Sequence, residues 1–121
     1  MCKTRVLIAY QPGMMRELLN ELVAQEADLG SAGNIERIEE VAEAVKRLRV
    51  DCLIISHEML NQQPGLCQEL LPQNPQLSIL ALSPEHNFGT LYRNAGHGFS
   101  GPIECSEEGI LSALRATAPC P

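Results

Sequence analysis

The stretch Asp51-Cys52-Leu53-Ile54-Ile55-Ser56 constrains this chain most: a short apolar run, opened by a charge and closed by the polar cluster Ser56-His57-Glu58. Helical patterns flank it on both sides. It therefore reads as the central strand of a parallel sheet, buried on both faces and ending where such sheets place their chemistry. Ser56 then stands at the mouth of a site, and the functional question is what a serine can do there.

Thr4 to Ala9 is a second continuous, β-prone run. Pro12-Gly13 ends it, and Pro12 suits a first helical turn. Beyond it Met14, Met15, Leu18, Leu19, Leu22 and Val23 recur on one helical face, with Arg16, Glu17, Asn20 and Glu21 opposite. Asp28 to Ala32 reads as a short strand, and Gly33-Asn34 as a turn that caps the next helix. That helix carries Ile35, Ile38, Val41, Ala42, Val45 and Leu48 at helical spacing. Glu36, Glu39 and Glu40 open it and Lys46, Arg47 and Arg49 close it, which complements the helix dipole and reads as a solvated face. After the central strand, residues 61–65 read as a loop, Leu66 to Leu71 as a short helix halted near Pro72 and Pro75, and Gln76 to Ser83 as a strand. Glu85 to Ala95 is expected to be a helix, Gly96 to Ser100 a short strand, and Ser106 the cap of a last helix with Ile110, Leu111 and Leu114. Five strand-helix alternations predict an α/β fold with a parallel sheet.

Composition limits what such a fold can do. The 121 residues make one domain, expected over 1–118 with 119–121 as a tail. With four aromatics (Tyr10, Phe88, Tyr92 and Phe99), the core must be mostly aliphatic. A formal charge of -6, with no basic face evident along the chain, argues against a nucleic-acid partner, because that binding depends on Lys and Arg neutralising phosphates. The apolar runs are far shorter than a bilayer span and residues 1–5 lead into a strand without a signal-peptide pattern, so no membrane association is expected. Five cysteines (Cys2, Cys52, Cys67, Cys105 and Cys120) form no CxxC pair and no zinc spacing. An odd count with one member in a core strand suggests reduced thiols in a cytoplasmic protein. A redox role for Cys105 or Cys67 is the alternative to small buried thiols.

Read in chain order, Val6-Leu-Ile-Ala9 followed by Met14-Met15-Arg16-Glu17-Leu18-Leu19, Asp51-Cys-Leu-Ile-Ile-Ser56, Ile79-Leu-Ala-Leu-Ser83 and Ala95-Gly-His-Gly-Phe99 together resemble the receiver domain of two-component response regulators, over nearly the whole chain. The resemblance implies a flavodoxin-like (βα)5 three-layer sandwich with a five-stranded parallel sheet of order 2-1-3-4-5 and a site at its C-terminal edge. Receivers accept a phosphoryl group from a histidine kinase onto an aspartate. Their Mg²⁺ is held by that aspartate and an acidic pair, since a hard cation demands oxygen ligands.

Here the positions that match the acidic pair are Tyr10 and Gln11, and the phosphoacceptor position is Ser56. Ser83 keeps the hydroxyl residue that senses the phosphoryl oxygen. Gly101, within Ser100-Gly101-Pro102, stands in the region of the expected lysine. The resemblance thus implies a degenerate pseudo-receiver: no enzyme, no cofactor and no metal, signalling in bacteria through phosphorylation-independent contact with a protein partner or a second copy. Tyr10 would plug the former acidic pocket and bond to Ser56 or Ser83. The family's signalling face would correspond to Phe88, Leu91, Tyr92 and Phe99. Periodicity favours burial of Phe88, Leu91 and Phe99 and leaves Tyr92 as the exposed member. The competing reading is a small α/β enzyme or ligand-binding domain using Tyr10, Ser56, His57 and Ser83. Against it, neither GxGxxG nor a Walker motif occurs, and adjacent Ser56 and His57 leave a strand in opposite directions.

Overall fold

In a computed structural model, residues 4–11, 13–63, 65–74, 77–83, 85, 87–93 and 101–116 are described, with residues 115 and 116 by backbone alone. Strand β1 (Thr4–Ala9) leads to α1 (Met14–Gln25), β2 (Leu29–Ile35), a 3-10 turn at Ile38–Glu40 and α2 (Val41–Leu48). Then come β3 (Cys52–Ser56), α3 (His57–Asn61), α4 (Leu66–Gln73), β4 (Ser78–Ser83), β5 (Phe88–Arg93), β6 (Gly101–Glu104) and α5 (Glu107–Ala116).

The strands form one sheet of order β2-β1-β3-β4-β5-β6. The first four run parallel, whereas β5 and β6 run antiparallel. Alternation along the parallel strands divides the core in two. Val6, Ile8, Cys52, Ile54, Leu80 and Leu82 pack under α1 and α5, against Leu19, Leu22, Val23, Ile110 and Leu114. Leu7, Ala9, Leu53, Ile55, Ile79 and Ala81 pack under α2, α3 and α4, against Val41, Val45, Met59, Leu66 and Leu70. Each fully buried aliphatic side chain of this kind contributes about 1.5–3 kcal/mol relative to exposure, so the parallel strands anchor the molecule.

The second half departs from the expected topology. The sheet is mixed and six-stranded, not parallel and five-stranded, and residues 88–93 form a strand where a helix is expected. Phe88, Leu91, Tyr92 and Ala95 satisfy the helical template, but the segment Phe-Gly-Thr-Leu-Tyr is β-prone and follows turn chemistry. Asn87 takes a left-handed φ of 50°, which asparagine tolerates, just before β5 pairs with β4 from Ser83↔Phe88 to Ser78↔Arg93. Gly89 lets this hairpin close: a Cβ there would lie 3.0 Å from both Ile103 and Leu82 side chains. The strand expected at Gly96 to Ser100, with Phe99, falls outside the described residues, as does Pro12. Gly101 and Pro102 open an edge strand.

Smaller differences have local causes. Strand β2 runs through Gly33-Asn34 to Ile35, so Asn34 caps no helix. The ladder shifts between Val6↔Ser31 and Leu7↔Gly33, leaving Ala32 as a bulge with Gly33 at φ 139°. The following helix accordingly starts later, through its 3-10 turn. On α1, Leu19, Leu22 and Val23 are buried, whereas Met14 is 85% exposed and Leu18 43%. Helix α4 reaches Gln73 with Pro72 in its last turn, and Asn74 closes it by donating its side-chain N–H to the Leu70 carbonyl at 2.9 Å.

Candidate functional site

The C-terminal ends of β1, β3 and β4 converge because the strands are parallel and in register, with Ile8 opposite Ile54 and Ser56 opposite Leu82. Between them lies a cleft of about 290 Å³, lined by Tyr10, Ser56, His57, Leu82 and Ser83 with the carboxylates of Glu58 and Glu85. The four residues expected at a strand-end site, Tyr10, Ser56, His57 and Ser83, thus share one cleft.

Tyr10 is 7% exposed and packs into the core under α1 and α5. Its backbone N–H donates to the Ile35 carbonyl at 3.1 Å, which holds the residue at the end of β1. Its hydroxyl donates to the Leu82 carbonyl at 3.4 Å, not to the hydroxyl of Ser56 or Ser83. Burial, and secondarily the Cys105 thiol, push the phenol well above its ordinary pKa, so it stays neutral.

Ser56 is the N-cap of α3: its Oγ accepts from the Met59 N–H at 3.0 Å. Such a cap contributes about 1 kcal/mol, which gives the residue a structural role. His57 to Asn61 form this short helix, although Asn61 is expected in a loop; the signal for it is Ser56 directly before His57-Glu58-Met59, a capping position. His57 Nδ1 lies 3.4 Å from the Asn61 side-chain nitrogen, one turn along, so that ring nitrogen faces the helix. No serine-imidazole hydrogen bond joins Ser56 and His57 among the described residues. A nucleophile needs such a base within reach.

Gln11 turns away from the cleft, donating to the Glu36 carbonyl at 3.0 Å above β2. Gly101 sits opposite Leu91 on the β6 edge, remote from the strand ends. Of the expected interaction face, Phe88 is 39% exposed, contrary to its helical reading. Leu91 is buried under α1 and α5, and Tyr92 packs partly against the α2 side. Cys67 and Cys105 are free thiols whose pKa burial raises, which disfavours the reactive thiolate.

Among the described residues no group of three or more His, Cys, Asp or Glu comes together as a metal site. Neither is any helix among them long and apolar enough to cross a membrane. Compared with known proteins, the chain matches no protein-family model and no curated protein.

Proposed function

We propose that this protein is a receiver-like interaction module that acts in cytoplasmic signal transduction through contact with a protein partner, without phosphotransfer or other catalysis. The observation that carries the proposal is Tyr10. Its ring fills the end of β1, where a phosphotransfer site of this type needs carboxylates, and its hydroxyl is spent on the Leu82 carbonyl. Ser56 caps α3, and Gln11 faces the β2 side. Phosphoryl transfer depends on an acceptor and a metal placed together, and Tyr10, Gln11 and Ser56 bring no carboxylate to that pairing.

Exposed apolar side chains support contact with a protein. Met14 and Phe88, 85% and 39% exposed, both follow strand ends on the cleft side of the sheet. Phe88 thus becomes an aromatic available to a partner, and Met14 and Leu18 form a separate exposed apolar pair on α1. Incubation with acetyl phosphate and Mg²⁺, followed by intact mass measurement, should give no phosphoryl adduct. A stoichiometric adduct would overturn the proposal.

A second reading, a ligand-binding domain, is favoured by the 290 Å³ cleft itself, whose hydroxyls, imidazole and carboxylates suit a small polar ligand. Ser83→Leu should fill that cleft. On the interaction reading, no small polar metabolite in a thermal-shift panel raises the denaturation midpoint. A metabolite that stabilises the wild type but not Ser83→Leu would make ligand binding the better account.

A further inference from the structure

Beneath the opposite end of the sheet, α2 and α4 leave a second cleft, of about 360 Å³, at the entry to β3 and β4. Its floor is apolar: Val45, Val50 and Leu77 are all buried. Its walls carry Lys46 and Arg49 from the end of α2, and the amides of Gln73 and Asn74 from the end of α4. From these features we propose that the cleft binds a small organic anion. Lys46 and Arg49 would hold its anionic oxygens, and its apolar body would rest on the floor. The site lies at the other sheet end from the strand-end cleft and does not depend on the receiver-like reading.

Three observations carry this. First, neither Lys46 nor Arg49 has a carboxylate or carbonyl partner among the described residues, although the chain has fifteen acidic residues against nine basic ones. Ion pairs seen among the described residues engage other cations: Arg16 with Glu36, Arg37 with Glu39 and Arg47 with Glu43. Arg47 and Glu43 form an ordinary solvated helix pair, whereas Lys46 and Arg49 stand along the cleft without one.

Second, the carboxylate that shares the cleft's lining with them has one oxygen already engaged. Asp51 also lines the cleft, but its Oδ2 accepts the Arg5 backbone N–H at 2.8 Å. The Arg5 guanidinium in turn donates from Nε to the Leu48 carbonyl at 2.9 Å, covering the negative C-terminal end of α2. The basic character noted for the helix end is therefore concentrated by the fold. Residues 46, 49, 73 and 74 come together at the cleft only in the folded chain.

Third, Arg49 occupies the left-handed backbone region, φ 53° and ψ 59°, at the C-terminal cap of α2. Glycine adopts that conformation at no steric cost and is the usual occupant of such a position. A guanidinium kept where glycine would be cheaper points to a use for its charge. Two cations able to make charge-assisted bonds, the Gln73 amide and an apolar floor together suit a carboxylate or phosphate carried on a small hydrophobic body.

The test is a ¹⁵N–¹H NMR titration of the whole chain with phenyl phosphate, inorganic phosphate and phenol in low-salt buffer. Phenyl phosphate should produce saturable shifts in the amides of Arg49, Val50, Asn74 and Leu77, with inorganic phosphate weaker because it leaves the floor unused, and phenol should give none. Arg49→Gly and Lys46→Gln should each weaken phenyl phosphate binding about tenfold or more, the loss expected on removing one charge-assisted contact. Arg49→Gly should do so with an unchanged or higher denaturation midpoint, which separates lost binding from lost folding. The inference fails if phenyl phosphate gives no saturable shift there, if the shifts survive both substitutions, or if phenol or inorganic phosphate binds as well as phenyl phosphate.

Discussion

Tyr10→Ala is expected to lower the stability of the fold by about 3–5 kcal/mol, the range for truncating a large buried aromatic. The ring lies in the core with Val6, Ile8 and Leu82. Tyr10→Phe separates the ring from its hydroxyl. It keeps the packing and removes one hydrogen bond to the Leu82 carbonyl, long at 3.4 Å, so it should cost about 1 kcal/mol or less. The pair also predicts an alkaline effect. The folded state holds the Tyr10 phenol protonated above its ordinary range, because of burial and then Cys105, while in the unfolded chain it ionises near pH 10. Above that pH the unfolded state binds fewer protons than the native state, so this contribution to stability falls as pH rises. Urea midpoints should therefore drop more steeply between neutral pH and pH 11 for the wild type than for Tyr10→Phe. A Tyr10→Ala variant as stable as the wild type would place the ring outside the core, and with it would go the argument that this residue closes the strand-end site.

The parallel core was legible in the sequence for a physical reason. Strands β1, β3 and β4 are covered on both faces, so each is a continuous apolar run with polar ends. Because such strands align their C-terminal ends, Tyr10, Ser56, His57 and Ser83 group together by their positions along the chain alone. What failed was the part whose two faces differ. In β5, Phe88 is exposed and Leu91 buried, and a spacing of three and four between apolar residues fits a helix as well as this irregular alternation. The register of a resemblance then misled further: it carried Gly101 to the site by alignment, whereas the β5–β6 hairpin places it on a sheet edge. The cleft lined by Lys46, Arg49, Gln73 and Asn74 had no sequence signature, since α2 and α4 are separated by β3 and meet only in the folded chain.

That hairpin end is also where Gly109→Ala should have a large effect, in the direction opposite to helix propensity. Gly109 lies in the first turn of α5, and its N–H donates to the capping Ser106 Oγ at 3.1 Å. In an exposed helix, glycine to alanine would gain about 1 kcal/mol. Here the added Cβ would overlap the Glu104 carbonyl oxygen and lie 3.1 Å from its carbon and 3.3 Å from the Ser106 Oγ. These are chiefly backbone atoms at the last residue of β6, which cannot swing aside as a flexible side chain would. Relief requires α5 to shift off the strand, carrying Ile110 and Leu114 out of their packing beneath the sheet. Overpacking of this kind typically costs about 1–3 kcal/mol and occasionally more; an overlap with backbone belongs at the upper end and outweighs the propensity gain. Gly109→Ala should therefore be destabilised by about 2 kcal/mol in urea denaturation. Ser106→Ala, which only removes the cap, should lose about 1 kcal/mol. If Gly109→Ala matches or exceeds the wild-type midpoint, α5 does not meet the end of β6 in this way, and the antiparallel edge of the sheet must be redrawn.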